Sequence, residues 1–185
     1  KVAVYESGIH QITYRELRRW GFSDPSAVTV FGYGGAMLPE TFSENDIDDL
    51  NQLPVIRTDS KILFYAQGPT SWSYNEKTKE YDHEQNTYST AGYYFLTDSK
   101  NQSATIAERE GGQTTGLQDI TSFDEHAVYE QELYSPGSTG RLFLGDDFRY
   151  TTSKSFTFEL PGVDNSSPVK LRTSFGAKIL GGTAT

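Results

Sequence analysis

Lys61-Ile62-Leu63-Phe64-Tyr65-Ala66-Gln67-Gly68-Pro69 is the stretch on which the fold turns. A short, continuous apolar run closed by Gly-Pro reads as a strand buried on both faces. Beyond the Gly68-Pro69 turn, Trp72 and Tyr74 alternate with polar residues. Polar Asn75-Glu76-Lys77-Thr78-Lys79 then makes a hairpin tip before Tyr81 and His83. Ala91-Gly92-Tyr93-Tyr94-Phe95-Leu96-Thr97-Asp98 is a second strongly β run. Ser103 to Glu108 adds a strand, and Gly111-Gly112-Gln113-Thr114-Thr115-Gly116 reads as an exposed loop or linker.

Upstream, Val2 and Val4 form one short run and Ile9 with Ile12 another, separated by Ser7-Gly8, which reads as a hairpin turn. One helix interrupts the β pattern. Thr13 followed by Glu16 makes a capping box, Leu17 and Trp20 share a face, and Arg18 and Arg19 suit the negative end of the dipole. Gly21 can take the left-handed cap, so the spacing predicts a short helix over about residues 14–20. After the Asp24-Pro25-Ser26 turn, Val28, Val30 and Phe31 run as a strand into Gly32-Tyr33-Gly34-Gly35. A dinucleotide fingerprint would need glycine where Met37 stands and a helix where Pro39 follows, and no Walker Gly-Lys-Ser/Thr occurs there. The glycines therefore read as a bulge or as close backbone packing.

Towards the C-terminus the alternation is clearer. Phe156, Phe158 and Leu160 alternate with polar residues up to Pro161-Gly162. Val169, Leu171, Thr173, Phe175 and Ala177 alternate with Lys170, Arg172, Ser174 and Lys178. Two antiparallel strands with one wet face are expected. The fold class expected is mainly β, antiparallel sheets or a sandwich with one short helix near the N-terminus. Its organisation is a β-rich subdomain over 1–110, a loop or linker over 111–122 and an antiparallel β segment over 123–185. A strand edge so near Gly181-Gly182-Thr183-Ala184-Thr185 reads as part of a longer protein.

Composition narrows the function by exclusion. The 185 residues carry 16 Lys+Arg against 25 Asp+Glu, a formal charge of −9, with 12 Tyr, 11 Phe, 2 Trp and no Cys. That length can bury a core without staples. Without cysteine there is no disulfide framework, no Cys-containing zinc site and no thiol nucleophile. The acidity argues against a nucleic-acid partner, which needs a basic face. No apolar run approaches the roughly 20 residues that span a bilayer, and the first residues already alternate as a strand, so neither anchor nor signal peptide is expected in the chain.

Glu40, Glu44, Asp46, Asp48 and Asp49 concentrate carboxylate, but the Gly and Glu spacing of a calcium EF-hand loop is missing, and a solvated acidic loop is expected there. His10, His83 and His126 lack the i, i+4 spacing of a helical metal site, and no Gly-x-Ser-x-Gly elbow occurs. The expectation is no intrinsic enzyme activity, no metal and no cofactor.

Several stretches carry a resemblance in order along the chain. They are Ser7-Gly8-Ile9-His10-Gln11-Ile12-Thr13-Tyr14, Asp24-Pro25-Ser26, Val30-Phe31-Gly32-Tyr33-Gly34-Gly35, Lys61 to Pro69 and Tyr93-Tyr94-Phe95-Leu96-Thr97-Asp98. Together they resemble the N-terminal region of the type IX secretion sortases, within the gingipain-type C25 cysteine peptidases of Bacteroidota. Ser138-Thr139-Gly140-Arg141-Leu142-Phe143-Leu144-Gly145 resembles a short Ser-Gly-Arg-aromatic-Gly block of that family, from which Thr139 and Leu142 depart.

The resemblance implies a parent protein at the outer-membrane surface of a Gram-negative bacterium. Such a protein removes the C-terminal sorting domain of secreted cargo and joins the cargo to anionic lipopolysaccharide. Its Cys-His pair lies downstream of the region matched, so no catalytic residue carries over. The implied partners are the chain's own downstream catalytic domain, an outer-membrane anchoring protein and, through the parent, secreted cargo.

Two other readings compete: a carbohydrate-binding β-sandwich module in which exposed Trp72, Tyr74, Tyr93 or Tyr94 stack on sugar rings, and a stand-alone hydrolase. Arg141, a lone cation beside Gly140 and near Asp146 and Asp147, is expected to be a structural anchor, because a guanidinium can grip a carboxylate with two parallel bonds.

Overall fold

The structure is a computed structural model, and it describes residues 1–41, 43, 49–98, 104, 106–107, 110–112, 116, 118–138 and 140–177. The chain divides into two compact units, Lys1–Gly116 and Leu117–Thr185.

The first unit is built from antiparallel strands: β1 Val2–Val4, β2 Gly8–Thr13, β3 Thr29–Phe31, β4 Gln52–Leu53, β5 Ile56–Arg57, β6 Lys61–Ala66, β7 Thr70–Asn75, β8 Glu80–Gln85 and β9 Gly92–Thr97. They make a four-stranded sheet in the order β1-β9-β3-β4, a three-stranded sheet β2-β6-β5 and a separate β7-β8 hairpin, and no barrel closes among the described residues. The core draws on both larger sheets. Val4, Val30 and Tyr94 come from one, and Ile12, Ile62, Phe64 and Ala66 from the other, with Leu17 of the helix, Val28 and Val55 completing the cluster. Each large side chain fully withdrawn from water there contributes about 1.5–3 kcal/mol.

The helix α1, Tyr14–Arg19, forms where the capping box predicts. Thr13 Oγ1 accepts from the Glu16 N–H at 3.2 Å and Glu16 Oε2 accepts from the Thr13 N–H at 2.9 Å. Six residues make too short a helix to stand alone, so fully buried Leu17 holds it against the sheets. A 3-10 turn at Pro25–Ala27 follows, fastened from across the fold. Arg57 donates from Nε to Ser26 O and from a terminal nitrogen to Val28 O, both at 2.7 Å.

The structure departs from the sequence reading in three places. Ser7-Gly8 is not a hairpin turn: β1 pairs with β9 and β2 with β6, so the link passes from one sheet to the other. The hydroxyl of Ser7 accepts from the Gly68 N–H at 3.0 Å and pins that crossing.

Strand β6 is not buried on both faces. Ile62, Phe64 and Ala66 point inward, whereas Tyr65 on the other face is 58 % exposed. Its apolar run is continuous because both faces are apolar, and the described residues of this unit cover only one of them.

The expected strands over 156–160 and 169–177 carry no ladder. Among the described residues of the second unit the one β feature is an isolated bridge, Tyr134↔Leu144. Alternation marks residues able to lie on a half-buried sheet, but a strand exists only when a neighbour takes its N–H and C=O groups. The strand expected over 103–108 lies partly outside the described residues; Ala104, Ile106 and Ala107 are in no strand.

Candidate interaction surfaces

The end of β3, the end of β6 and the start of β9 converge on glycines. A Cβ on Gly35 would sit 2.5 Å from the carbonyl carbon and oxygen of Gly68. One on Gly92 would sit 2.5 Å from Gln67 O and 3.0 Å from Gly35 N. Three backbones therefore meet where no side chain fits, which is the close-packing role read for the Gly32-Tyr33-Gly34-Gly35 corner rather than a phosphate cradle. The phenol of Tyr94 closes the junction. It accepts from the Gln67 N–H at 2.6 Å and donates to Gln67 O at 3.1 Å. Burial raises its pKa above the ordinary 10.0.

Asn86 hangs the β7-β8 hairpin on this junction. Its backbone N–H donates to Pro69 O at 2.9 Å, its Nδ2 donates to Gly35 O at 2.7 Å, and its Oδ1 accepts from the Tyr88 and Ser89 N–H groups. The sequence reading passed over Asn86, although an Asn between two β runs is a turn signal. Among the described residues the hairpin pairs with no other strand. Register puts Trp72 opposite His83 and Tyr74 opposite Tyr81 on one face, with ring centroids 5.2 and 5.3 Å apart. The other face carries Ser71, Ser73, Asp82 and Glu84, with Asn75 donating to Asp82 at 2.9 Å. Such cross-strand ring pairs stabilise a ribbon that is marginal alone.

Of the four rings weighed for sugar stacking, Tyr94 is 2 % exposed and belongs to the core. Tyr93 is half-exposed and has the Lys1 ammonium 4.1 Å from its ring centre. Trp72 and Tyr74 remain at the surface of the hairpin. A second apolar surface is the uncovered face of β2-β6-β5, where a cleft of about 580 Å³ is lined by Ile9, Ile56, Leu63, Tyr65, Tyr33 and Ile106.

The histidines do not converge. His10 bonds to Glu6 O at 3.0 Å and lies near the Phe64 ring, His83 pairs with Trp72, and His126 is an exposed residue of the second unit. Among the described residues no group of three His, Asp or Glu side chains is placed to hold a metal ion. Residues 44–48 of the acidic stretch lie outside the described residues. Asp49 is exposed, and its carbonyl accepts from the Tyr33 hydroxyl.

In the second unit Arg141 is exposed. Asp146 and Asp147 each take a bond from a cation further along the chain. Arg149 donates from Nε to Asp147 at 2.6 Å and Lys154 donates to Asp146; each cation holds its carboxylate's pKa below the ordinary 3.8. Tyr129 packs on Phe156 with centroids 4.6 Å apart, and Phe148 meets Phe175 edge-on at 6.5 Å. Among the described residues of this unit none is buried. No helix among the described residues of the chain is long and apolar enough to cross a membrane.

No family model matches the chain, and no curated protein matches it. A solved structure does: the crystal structure of dimeric latent PorU from Porphyromonas gingivalis, 44 % identical, with a TM-score of 0.66. The match covers 80 % of this chain and 14 % of that one. The chain is thus a PorU-like region, spanning about a seventh of the length of the protein it resembles.

Proposed function

We propose, from a chain that is PorU-like over four-fifths of its length, that it is the non-catalytic N-terminal part of a cell-surface cysteine peptidase and sortase of the type IX secretion system. It supports removal of the C-terminal sorting signal and attachment of cargo to the outer membrane. The observation that carries this reading is the 44 % identity to PorU in a chain with no cysteine. Thiol chemistry needs a thiolate, so the nucleophile of such a peptidase has to come from another part of the protein. What this chain offers is surface: a hairpin with an aromatic face, an exposed apolar sheet face and a second unit in which no described residue is buried. Its partners are then its own catalytic domain and an anchoring protein at the outer membrane.

The test has two arms. The whole gene is read for a downstream Cys-His peptidase domain, and a strain producing the protein without residues 1–177 is assayed for cargo that keeps its sorting signal. The expected outcome is such a domain and accumulation of unprocessed cargo. A gene without that domain, or normal processing by the deletion strain, overturns the proposal.

A further inference from the structure

We propose that residues 154–160 and 169–177 are two strands of a sheet whose other strands come from the part of a PorU-like protein lying outside these 185 residues. This rests on the reading of the chain as one region of such a protein.

The pattern of side chains comes first. Phe156, Phe158 and Leu160 fall on one side of an extended backbone, with Ser155, Thr157 and Glu159 on the other. Val169, Leu171, Thr173 and Phe175 repeat the arrangement against Lys170, Arg172 and Ser174. Neither run contains a helix or hydrogen-bonded turn, and turns fall between them at 161–162 and 165–166. Asp164 shapes that connection, accepting from the Ser166 N–H at 2.9 Å and from the hydroxyls of Ser166 and Ser167. Two runs of strand character separated by a turn-rich connection are therefore in place, without the ladder that would make them strands.

Exposure supplies the second part. Val169 is 72 %, Leu171 78 % and Phe175 79 % exposed, and Phe156 and Phe158 are each more than two-fifths exposed. Every buried apolar residue described lies between Val4 and Ala91 or is Tyr94, all in the first unit. On the inner side Phe156 meets the Tyr129 ring and Phe175 the Phe148 ring. Apolar side chains at every second position left in water at this level mark a surface made to be covered.

The length of the relative identifies the cover. The chain matches 14 % of PorU, so a protein of that kind has several times this length from which to build the sheet. A strand supplied by the same polypeptide arrives at the effective concentration of a tethered partner, which neither a second copy nor a free protein reaches in dilute solution. Addition to an existing sheet then satisfies the backbone groups and buries the stripe in one step.

Hydrogen exchange on the full-length protein decides it. Peptides covering 154–160 and 169–177 are expected to exchange ~100-fold or more slowly than the same peptides in unfolded chain, because ladder amides open only with their sheet. Leu171→Asp, on the inner side, is expected to abolish that protection, while Ser174→Asp on the outer side leaves it within about twofold. Exchange of both segments at the unfolded rate in the full-length protein overturns the proposal, as does an equal response to the two substitutions. Protection that appears in the 185-residue chain alone as its concentration rises, together with a dimer mass, overturns it in favour of a second copy. None of these results depends on whether sorting-signal removal fails in the deletion strain, so the two proposals fail separately.

Discussion

Replacing Gly92 by alanine tests the central packing argument most directly. The new Cβ would lie 2.5 Å from Gln67 O, with the Gly35 N and Cα at 3.0 and 3.1 Å. All three are backbone atoms, so no side chain can swing away. Ordinary contact begins near 3.4 Å, so the start of β9 and the end of β6 must part by about 0.9 Å, a displacement a packed interior resists at a cost of about 3 kcal/mol. For a unit of this size that lowers Tm by roughly 12 °C, taking about 4 °C per kcal/mol.

The assay is thermal unfolding followed by circular dichroism, with Gly8→Ala as the control. Gly8 also lies in a strand of this fold, but a Cβ there meets nothing within 4 Å, so its Tm is expected to stay within about 2 °C of the parent. Gly35→Ala presses on Gly68 in the same junction. Combined with Gly92→Ala, it should cost less than the sum of the two single effects, because the first substitution has already opened the gap. If Gly92→Ala and Gly8→Ala melt together, the three backbones are not in close contact and the account of the junction is wrong.

Two further outcomes follow from neighbouring bonds. Tyr94→Phe keeps the ring in the core but leaves the Gln67 N–H and C=O without the hydroxyl, for an expected loss of about 1–2 kcal/mol in a urea titration; an unchanged midpoint would show that water replaces it. Thr13→Ala removes one half of the capping box and is expected to cost about 1 kcal/mol near neutral pH. The hydrogen bonds from the Thr13 hydroxyl and N–H lower the Glu16 pKa below its ordinary 4.5. Glu16 therefore contributes stability above the unfolded-state pKa, and the contribution is lost as pH falls through the depressed folded value. The gap between parent and Thr13→Ala should narrow on acidification below pH 4.5; a gap that widens would remove Glu16 from the explanation.

The elements differ in how far local sequence specified them. The helix was legible almost to the residue, because Thr13, Glu16 and Leu17 act within one turn and the cap needs no distant partner. The hairpin was legible too, since Trp72, Tyr74, Tyr81 and His83 alternate on either side of a polar tip. Misreadings arose where the deciding contact was remote. Ser7-Gly8 looks like a hairpin turn locally, yet Val2 and Val4 find Tyr94 and Gly92 at the far end of the unit's strand order. Asn86 passes for an ordinary loop residue until Gly35 O is brought 2.7 Å from its side chain.

By itself, then, the amino-acid sequence determined the antiparallel β class, the short helix and the absence of a thiol, all of which depend on residue type and short-range period. Tertiary structure alone decided which strands share a sheet, that β6 covers one face rather than two, and that the alternating runs after Ser153 form no ladder in this chain. The physical reason is that alternation records which side of a strand prefers to be dry. It carries no information about which backbone will supply the hydrogen bonds, because every backbone offers the same ones.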